Sequence, residues 1–225
     1  MHSGSEYYRA YDQRYRQVHE KGLSWFGDQP SPIIAQMIEK YGLNKDARML
    51  EIGCGEGRDA RVLLQQGYAL LATDISEAAI AYCKKADPDH AQHYQVLDAI
   101  HGEMPEKFDF IFAMAVLHML VLDEDRAAFL RFVRKQLNEG GMALIVAMGD
   151  GEEAWQSDIS KAFDNQLRIH EQTGVQLQLA ATSCRVVSLA HLQSEISDAR
   201  LKLLESGHTS VENDFPVSLY VLAQR

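Results

Sequence analysis

The sequence contains little cysteine and no cysteine motif. Its three cysteines, Cys54, Cys83 and Cys184, are odd in number and never form a CxxC pair. Such a set predicts neither a disulfide framework nor a cysteine-rich metal site, and it favours a reducing, cytoplasmic location. The sequence also lacks internal repeats and low-complexity segments, so we expect an ordinary folded domain.

Positive charge and long hydrophobic runs are also missing. The 22 Lys and Arg residues are outnumbered by 32 Asp and Glu residues, and the formal net charge is -10. Because nucleic-acid binding depends on neutralising phosphates, this balance and the absence of a basic run predict no nucleic-acid partner. No apolar run approaches the ~20 residues of a membrane-spanning helix, and the N-terminal residues lack the apolar core of a signal peptide. We therefore predict no membrane partner either.

What the sequence does contain is an alternation of strand-like and helix-like segments. Its 225 residues are 46% hydrophobic and 24% charged, which suits a globular α/β domain with a sizeable core. Between Ser31 and Met148 the two kinds of segment alternate, which is typical of βαβ units with a parallel sheet. The predicted strands are residues 47–52, 68–74, 92–98, 108–114 and 142–148, and the predicted helices begin after Ser31, at Arg58, after Ser76 and at a capping Asp123.

The regular alternation of strand-like and helix-like segments ends after Met148, and we divide the chain accordingly. Residues 1–30 are interpreted as an N-terminal cap, residues 31–225 as the main domain, and residues 149–188 as an insertion on the substrate side of the sheet. Within the insertion we predict a helix through Ile159, Phe163 and Leu167 and a strand through Val175, Leu177 and Leu179. After it we predict a helix from Ser188 to Ile196. The chain should then end in an antiparallel pair of strands, Leu201–Leu204 and Val217–Ala223.

The sharpest motif is the glycine-rich segment from Glu51 to Gly57, with the sequence EIGCGEG. It lies between a predicted strand and a predicted helix. Glycines at such a turn let the backbone bend tightly and approach a ligand closely, and the following helix offers free N–H groups. The motif therefore predicts a nucleotide-type binding site at this end of the sheet.

Two acidic residues at the ends of the next strands support this interpretation. Asp74 lies 17 residues after Gly57, about where an acid that accepts hydrogen bonds from ribose hydroxyls is expected. Asp98 ends the third predicted strand, where it would accept from the exocyclic amine of an adenine. Turn or helix-capping roles are the alternative for both acids, more so for Asp98.

At this point the sequence resembles the class I S-adenosylmethionine-dependent methyltransferases. Residues 51–57 resemble their first motif, residues 72–76 (ATDIS) their second, residues 108–120 their fourth-strand motif, and residues 137–141 (LNEGG) the turn before their fifth strand. The resemblance implies a Rossmann-like three-layer sandwich whose seven-stranded, mostly parallel sheet has an antiparallel last strand. It also implies S-adenosylmethionine as the cofactor and methyl transfer by in-line displacement as the reaction.

The resemblance further implies roles for individual residues. Glu51 and the glycine turn would hold the methionine part of the cofactor, Arg58 its carboxylate, and Ala115 would face its amine or methyl group. The predicted cofactor-binding residues are Glu51, Gly53, Cys54, Gly55, Gly57, Arg58, Asp74, Ile75, Asp98, Ala99, Ala115, Tyr15 and Trp25.

Within the family the sequence most resembles small-molecule enzymes of the tellurite-resistance and thiopurine type, which are methyltransferase type 11/12-like members. The segments GRDA at 57–60 and AVLHML at 115–120 carry this likeness, together with a lead at 7–26 that is rich in tyrosine. Tyr11, Tyr15 and Trp25 would cover the site, although Tyr11 is at least as well explained by packing on the sheet. A small-molecule methyl acceptor is therefore predicted, with His118 as the candidate general base or else as a structural histidine.

Three alternatives remain open from the sequence. An NAD-dependent oxidoreductase would need GxGxxG, and Gly57 comes one residue too early. A noncatalytic module that binds S-adenosylmethionine fits the same motifs. An RNA or protein methyltransferase is less favoured, because Ala113-Met114-Ala115-Val116 stands where an Asn-Pro-Pro-Tyr motif would recognise an amine. The methylated atom is not predicted, and the oligomeric state is left as monomer or homodimer.

Overall fold

The computed structural model describes residues 4–25, 27, 29–170, 172–211 and 215–225. Residues 1–3, Phe26 and Asp28 of the predicted N-terminal cap lie outside the described residues, as do Glu171 of the predicted insertion and residues 212–214.

The described residues form eleven strands and six α-helices. The helices are α1 (Ala10–His19), α2 (Pro32–Lys40), α3 (Arg58–Gln65), α4 (Glu77–Ala86), α5 (Asp123–Gln136) and α6 (Leu189–Asp198). The strands are β1 (Met49–Ile52), β2 (Leu70–Asp74), β3 (Tyr94–Val96), β4 (Phe108–Met114), β5 (Leu137–Met148), β6 (Trp155–Gln156), β7 (Asn165–Ile169), β8 (Gln176–Ala180), β9 (Arg185–Val186), β10 (Lys202–Val211) and β11 (Phe215–Gln224).

Seven strands form one sheet in the order β10-β11-β5-β4-β1-β2-β3. The pairs from β5 through β4, β1 and β2 to β3 are parallel, whereas β11 runs antiparallel to both β5 and β10. The strand order reverses beside β1, because β2 and β3 lie on one side of it and β4 and β5 on the other. At such a switch point α/β folds bind their ligands. This topology confirms the predicted Rossmann-like sheet with its antiparallel end.

The sheet is buried on both faces, which explains why its central strands are almost entirely apolar. Alternate residues serve opposite layers: Phe110 and Phe112 of β4 join the core with α2 and α3, whereas Ile111 and Ala113 join the core with α5 and α6. Two layers of helices around one sheet give the predicted three-layer sandwich.

The N-terminal segment lies over the carboxyl end of the sheet. A 3₁₀ segment, Gly4–Arg9, leads into α1, and α1 contacts both α4 and β8. The contact with β8 is apolar, because Val18 packs against Leu177 and Leu179. The two short sheets β6-β9 and β7-β8 come from the predicted insertion, so the insertion and the N-terminal segment support each other.

The predicted helix through Ile159, Phe163 and Leu167 is wrong. Only a 3₁₀ turn forms at Ile159–Lys161, and Leu167 lies in β7, which pairs antiparallel with β8. Apolar residues four apart are typical of a helix, but here residues 165–169 pair with the following strand instead. The connection between the two strands contains Gly174, which has a φ of 71°. The prediction of a strand through Leu177 and Leu179 is confirmed.

Smaller corrections concern element ends. The third strand covers only Tyr94–Val96, so Asp98 follows it by two residues. Asp123 is the first residue of α5 and not its cap, since Leu122 precedes the helix. His118 lies in a 3₁₀ turn, Leu117–Met119, and not in a helix. No described helix combines the length and hydrophobicity needed to cross a bilayer.

Candidate active site

A cavity of about 970 Å³ opens at the carboxyl ends of β1, β2 and β4. Its floor is the glycine turn after β1, and its roof consists of tyrosines from the N-terminal segment. The predicted residues that line it are Tyr15, Glu51, Gly53, Cys54, Gly55, Arg58, Asp74, Ile75, Asp98, Ala99 and Ala115.

The glycine turn has the conformation that its sequence requires. Gly53, Gly55 and Gly57 all have positive φ angles, at 76°, 53° and 76°, which only glycine adopts without strain. The N–H groups of Gly53 and Cys54 both donate to the Thr73 carbonyl, at 2.7 and 2.9 Å. These bonds fix the turn to the end of β2, so the backbone presents one defined surface to the cavity.

Close packing also explains the glycines. A Cβ atom at Gly53 would lie 2.3 Å from Val116 Cγ2, and one at Gly57 would lie 2.9 Å from Cys83 Sγ. Real Cβ atoms do not approach so closely, so neither position tolerates a side chain without movement of its neighbour. Gly57 itself does not line the cavity and acts from behind the turn.

Asp74 joins the turn to the end of β2. Its Oδ2 accepts from Gly55 N–H and its Oδ1 from Ser76 N–H, both at 2.8 Å. Burial raises the pKa of Asp74 to about 6, while the bonds from Ser76 and Gly55 oppose that shift. A carboxylate has about four acceptor positions, so further donors in the cavity still have sites on Asp74.

Glu51 places a buried carboxyl group beside the turn. Burial, followed by the charge of Asp59, raises the pKa of Glu51 well above its usual range. Its Oε2 atom is buried and has no hydrogen-bond partner among the described residues. Because an unpartnered buried carboxyl is costly, a ligand that donates a hydrogen bond to this atom would offset the cost.

The third acid is already engaged by the N-terminal segment. Asp98 Oδ1 accepts from the N–H groups of Ile100 and His101, at 2.9 and 3.2 Å, and its Oδ2 accepts from the Arg9 guanidinium at 3.2 Å. Apolar side chains flank it, since Ile75 and Leu97 also line the cavity. Acidic and apolar groups thus share this end of the cavity.

The N-terminal segment is attached around the cavity by polar contacts that the sequence analysis missed. Asp12 Oδ1 accepts from Ser76 Oγ at 2.8 Å and from Ala78 N–H at 3.1 Å, and Tyr11 donates to the Ser183 carbonyl at 2.8 Å. His19 Nε2 lies 2.8 Å from Glu56 Oε1. The sequence of an amphipathic helix does not show which distant residue each of its polar side chains will contact. None of these pairs could therefore be predicted from the sequence.

Besides Gly57, two predicted site residues lie outside the cavity lining. Trp25 donates its backbone N–H to Glu56 Oε1 at 2.8 Å, and its ring faces the Arg14 guanidinium. The Trp25 side chain therefore packs on the N-terminal segment and does not cover the cavity. Tyr8, Tyr11 and Tyr15 form the roof instead, and of these only Tyr8 was not proposed for it from the sequence.

The second such residue is His118, whose position does not support a role as general base. Its side chain is buried and does not line the cavity, and its Nδ1 is the acceptor for Met148 N–H at 3.4 Å. Burial, followed by the charge of Arg126, lowers the pKa of His118 to about 4. A histidine so placed is neutral near pH 7 and joins β5 to the turn after β4.

That turn forms the remaining wall. Ala115 has a φ of 57° and donates its N–H to the Val146 carbonyl at 2.9 Å. Residues in this left-handed region are uncommon outside glycine and cluster at functional sites. Ala115, Val116 and Met119 line the cavity, so the turn after β4 forms part of its wall.

Comparison with known proteins agrees with this geometry. Residues 50–143 match the model of the methyltransferase domain family. This segment, from β1 to β5, is similar to a methyltransferase domain. The resemblance to class I methyltransferases is thereby confirmed, and the alternative of an NAD-dependent oxidoreductase is not favoured.

Two curated relatives show how far the likeness extends. The yeast (Saccharomyces cerevisiae) tRNA (carboxymethyluridine(34)-5-O)-methyltransferase is 29% identical over 119 residues, which are 52% of this chain and 40% of the yeast enzyme. The probable S-adenosyl-L-methionine-dependent methyltransferase TehB of Haemophilus influenzae is 27% identical over 119 residues, 51% of this chain and 41% of TehB. The chain thus matches less than half the length of either relative.

A solved structure shares the fold over the whole chain. The 1,6-didemethyltoxoflavin-N1-methyltransferase of Burkholderia thailandensis, solved with 1,6-didemethyltoxoflavin and S-adenosylhomocysteine, superposes with a TM-score of 0.69 at 16% identity. The match covers 100% of this chain and 91% of that one, so the N-terminal segment and the insertion have counterparts within the same architecture.

Proposed function

We propose that this protein transfers a methyl group from S-adenosylmethionine to a small-molecule acceptor. One observation carries the proposal: a single cavity brings together the glycine turn, the unpartnered carboxyl oxygen of Glu51 and the β2 acid Asp74. The match of residues 50–143 to the methyltransferase domain family supports methyl transfer as the class of reaction.

The residues present fit the cofactor. The buried Oε2 of Glu51 suits the ammonium group of the methionine part, and the open acceptor positions of Asp74 suit the ribose hydroxyls. Ile75 and Ala99 offer apolar surfaces for the adenine, and Asp98 lies beside them. Arg58 lines the same cavity, which supports a role for its guanidinium in binding the carboxylate of the methionine part.

The cofactor supplies an already activated methyl group on a sulfonium, and the protein contributes position and exclusion of water. Alignment of this kind is worth up to ~7–11 kcal/mol of a reaction barrier. The tyrosine roof and the turn after β4 close the cavity around the reacting groups. Acids and tyrosines, but no histidine or lysine, occur among the described residues that line the cavity, so a carboxylate or a tyrosine would take the proton of an acceptor that arrives protonated.

A small acceptor is favoured over a macromolecule. The roof residues lie over the cavity, and the net charge of -10 opposes binding to nucleic acid. One relative modifies tRNA, so the acceptor class is a question for experiment. A cytoplasmic location and a monomeric or homodimeric state remain predictions.

Calorimetric titration tests the cofactor and a methylation assay tests the reaction. We expect S-adenosylhomocysteine to bind the protein while NADH does not. We also expect formation of S-adenosylhomocysteine when the cofactor is supplied with a panel of small amines, phenols and thiols, and no methylation of total tRNA. Binding without turnover on any acceptor would instead favour the noncatalytic module.

Glu51→Gln separates the two ends of the cofactor. The variant keeps the shape of the side chain but removes its charge, so we expect S-adenosylhomocysteine to bind about tenfold more weakly, as loss of a charge-assisted bond predicts. Binding of 5′-methylthioadenosine, which lacks the amino-acid part, should be unchanged. Equal weakening of both ligands would contradict the assignment of Glu51 to the amino group.

The same variant should be at least as stable as the wild type. Because the pKa of Glu51 is raised in the folded protein, ionising this carboxyl above its unfolded pKa costs stability, and glutamine removes that cost. Thermal melting at pH 7 checks this expectation and excludes misfolding as the cause of weaker binding.

A further inference from the structure

We infer that Arg126 of α5 is a positioning residue that holds the turn at 117–120 in place against the cavity. The inference rests on the proposed function, because its importance lies in the wall that this turn provides. Met119 and Leu120 of the turn, together with Val116 before it, line the cavity.

Arg126 is one of the largest fully buried side chains in the described part of the protein. Its Nη1 donates to the Leu117 carbonyl at 2.7 Å and to the Leu120 carbonyl at 3.2 Å. One guanidinium nitrogen thereby holds both ends of the turn. The lowered pKa of His118, to which the charge of Arg126 contributes, agrees with this proximity.

The opposite side of the guanidinium is fixed by α6. Its Nε donates to Glu195 Oε1 at 2.5 Å and its Nη2 to Glu195 Oε2 at 2.7 Å. This two-bond arrangement is specific to arginine, because lysine offers a single point of charge. Since a buried charge is costly unless it is paired, Glu195 offsets the cost of burying Arg126 and holds its guanidinium towards the turn.

The turn needs such support because of its own backbone. It follows Ala115, whose φ of 57° is unfavourable for a residue with a side chain. Its own backbone bonds run from Met119 N–H to the Val116 carbonyl at 2.8 Å and from Leu120 N–H to the Leu117 carbonyl at 3.2 Å. Short 3₁₀ turns have poor hydrogen-bond geometry, so the two bonds from Arg126, together with the bond from Ser183 Oγ to the Met119 carbonyl at 2.7 Å, fix where Met119 and Leu120 lie.

Arg126→Lys tests the inference without an identified acceptor. Hydrogen exchange of the ligand-free protein should be about tenfold faster at residues 117–121 and unchanged at 50–57, as expected when bonds to a charged group are lost locally. S-adenosylhomocysteine should bind about three- to tenfold more weakly, because the turn at 117–120 lies in its binding-competent position in a smaller fraction of the protein molecules. A residue that only stabilised the fold would lower the Tm and leave this dissociation constant unchanged.

Arg131→Lys is the matched control, since Arg131 is exposed on the same helix, and it should change neither exchange nor binding. Glu195→Gln, which keeps Arg126, should speed exchange at the same residues by a smaller factor, and it decides the matter if Arg126→Lys fails to fold. Unchanged exchange at 117–121, or equal acceleration along the whole chain, would overturn the inference. If the wild type does not bind S-adenosylhomocysteine, the proposed function fails, while the exchange comparison still decides the role of Arg126.

Discussion

Asp74→Ala should weaken the binding of S-adenosylhomocysteine by more than tenfold. Hydrogen bonds to a charged group are worth about 1.5–3 kcal/mol, and the proposed ribose site depends on this carboxylate. The substitution also leaves the N–H groups of Gly55 and Ser76 without their present partner. The loss should extend to 5′-methylthioadenosine, because the proposed partner of Asp74 is the nucleoside, whereas that of Glu51 is the amino-acid part.

Asp74→Asn provides the control for the structural part of this effect. The amide retains one acceptor oxygen for the turn but loses the charge, so its effect on binding should lie between those of the wild type and of alanine. Calorimetry with both ligands on both variants separates the contributions. Wild-type affinity in Asp74→Ala would show that the ribose lies elsewhere.

The same carboxyl predicts a dependence of binding on pH. The pKa of Asp74 is raised to about 6 in the ligand-free protein, so below that pH the group is mostly protonated and cannot accept from both hydroxyls. Affinity for 5′-methylthioadenosine should therefore rise between pH 5 and pH 7, with a midpoint near 6. The step should be missing in Asp74→Asn. Stability changes in the opposite direction, because ionising a buried acid with a raised folded pKa destabilises the folded state as pH rises.

Much of the fold could be predicted from the sequence because local pattern and tertiary environment agree there. The strands β1, β2, β4 and β5 are mostly apolar and are separated by helices, of which α4 begins at the capping Ser76 and α3 ends before Gly67. The glycine turn was equally predictable, because three alternating glycines between a strand and a helix indicate a backbone with positive φ angles. The acids Asp74 and Asp98 followed from where their strands end.

The failures share a physical cause, which is dependence on distant partners. The residues 165–169 form a strand only because 176–180 lie beside them. His118 was expected at the cavity on its position in the chain, yet the 3₁₀ turn points it into the protein, where burial lowers its pKa. The bonds between Asp12 and Ser76, between Arg9 and Asp98 and between Arg126 and Glu195 join residues 64 or more positions apart, which no local period reveals.

Gly53→Ala should have the largest combined effect on binding and stability. A Cβ atom there meets Val116 Cγ2 at 2.3 Å, and φ at this position is 76°. Left-handed backbone in a residue with a side chain costs about 1–3 kcal/mol, and overpacking adds about 1–3 kcal/mol more. A loss of about 2 kcal/mol or more corresponds to a fall in Tm of roughly 4–8 °C for a protein of this size. Because Val116 lines the cavity, its displacement should also weaken S-adenosylhomocysteine binding by about tenfold or more.

Two further variants divide this effect into its causes. Gly67→Ala introduces the same φ penalty, at 83°, but nothing lies within 4 Å of its new Cβ atom, so it should lower the Tm modestly and leave binding unchanged. Gly53→Ala with Val116→Ala relieves the clash and should recover part of the stability. Binding should recover less, because the methyl group at position 53 remains in the turn that faces the cofactor. If Gly53→Ala alone binds S-adenosylhomocysteine as the wild type does, the turn does not approach the ligand, and the cofactor lies elsewhere in the cavity.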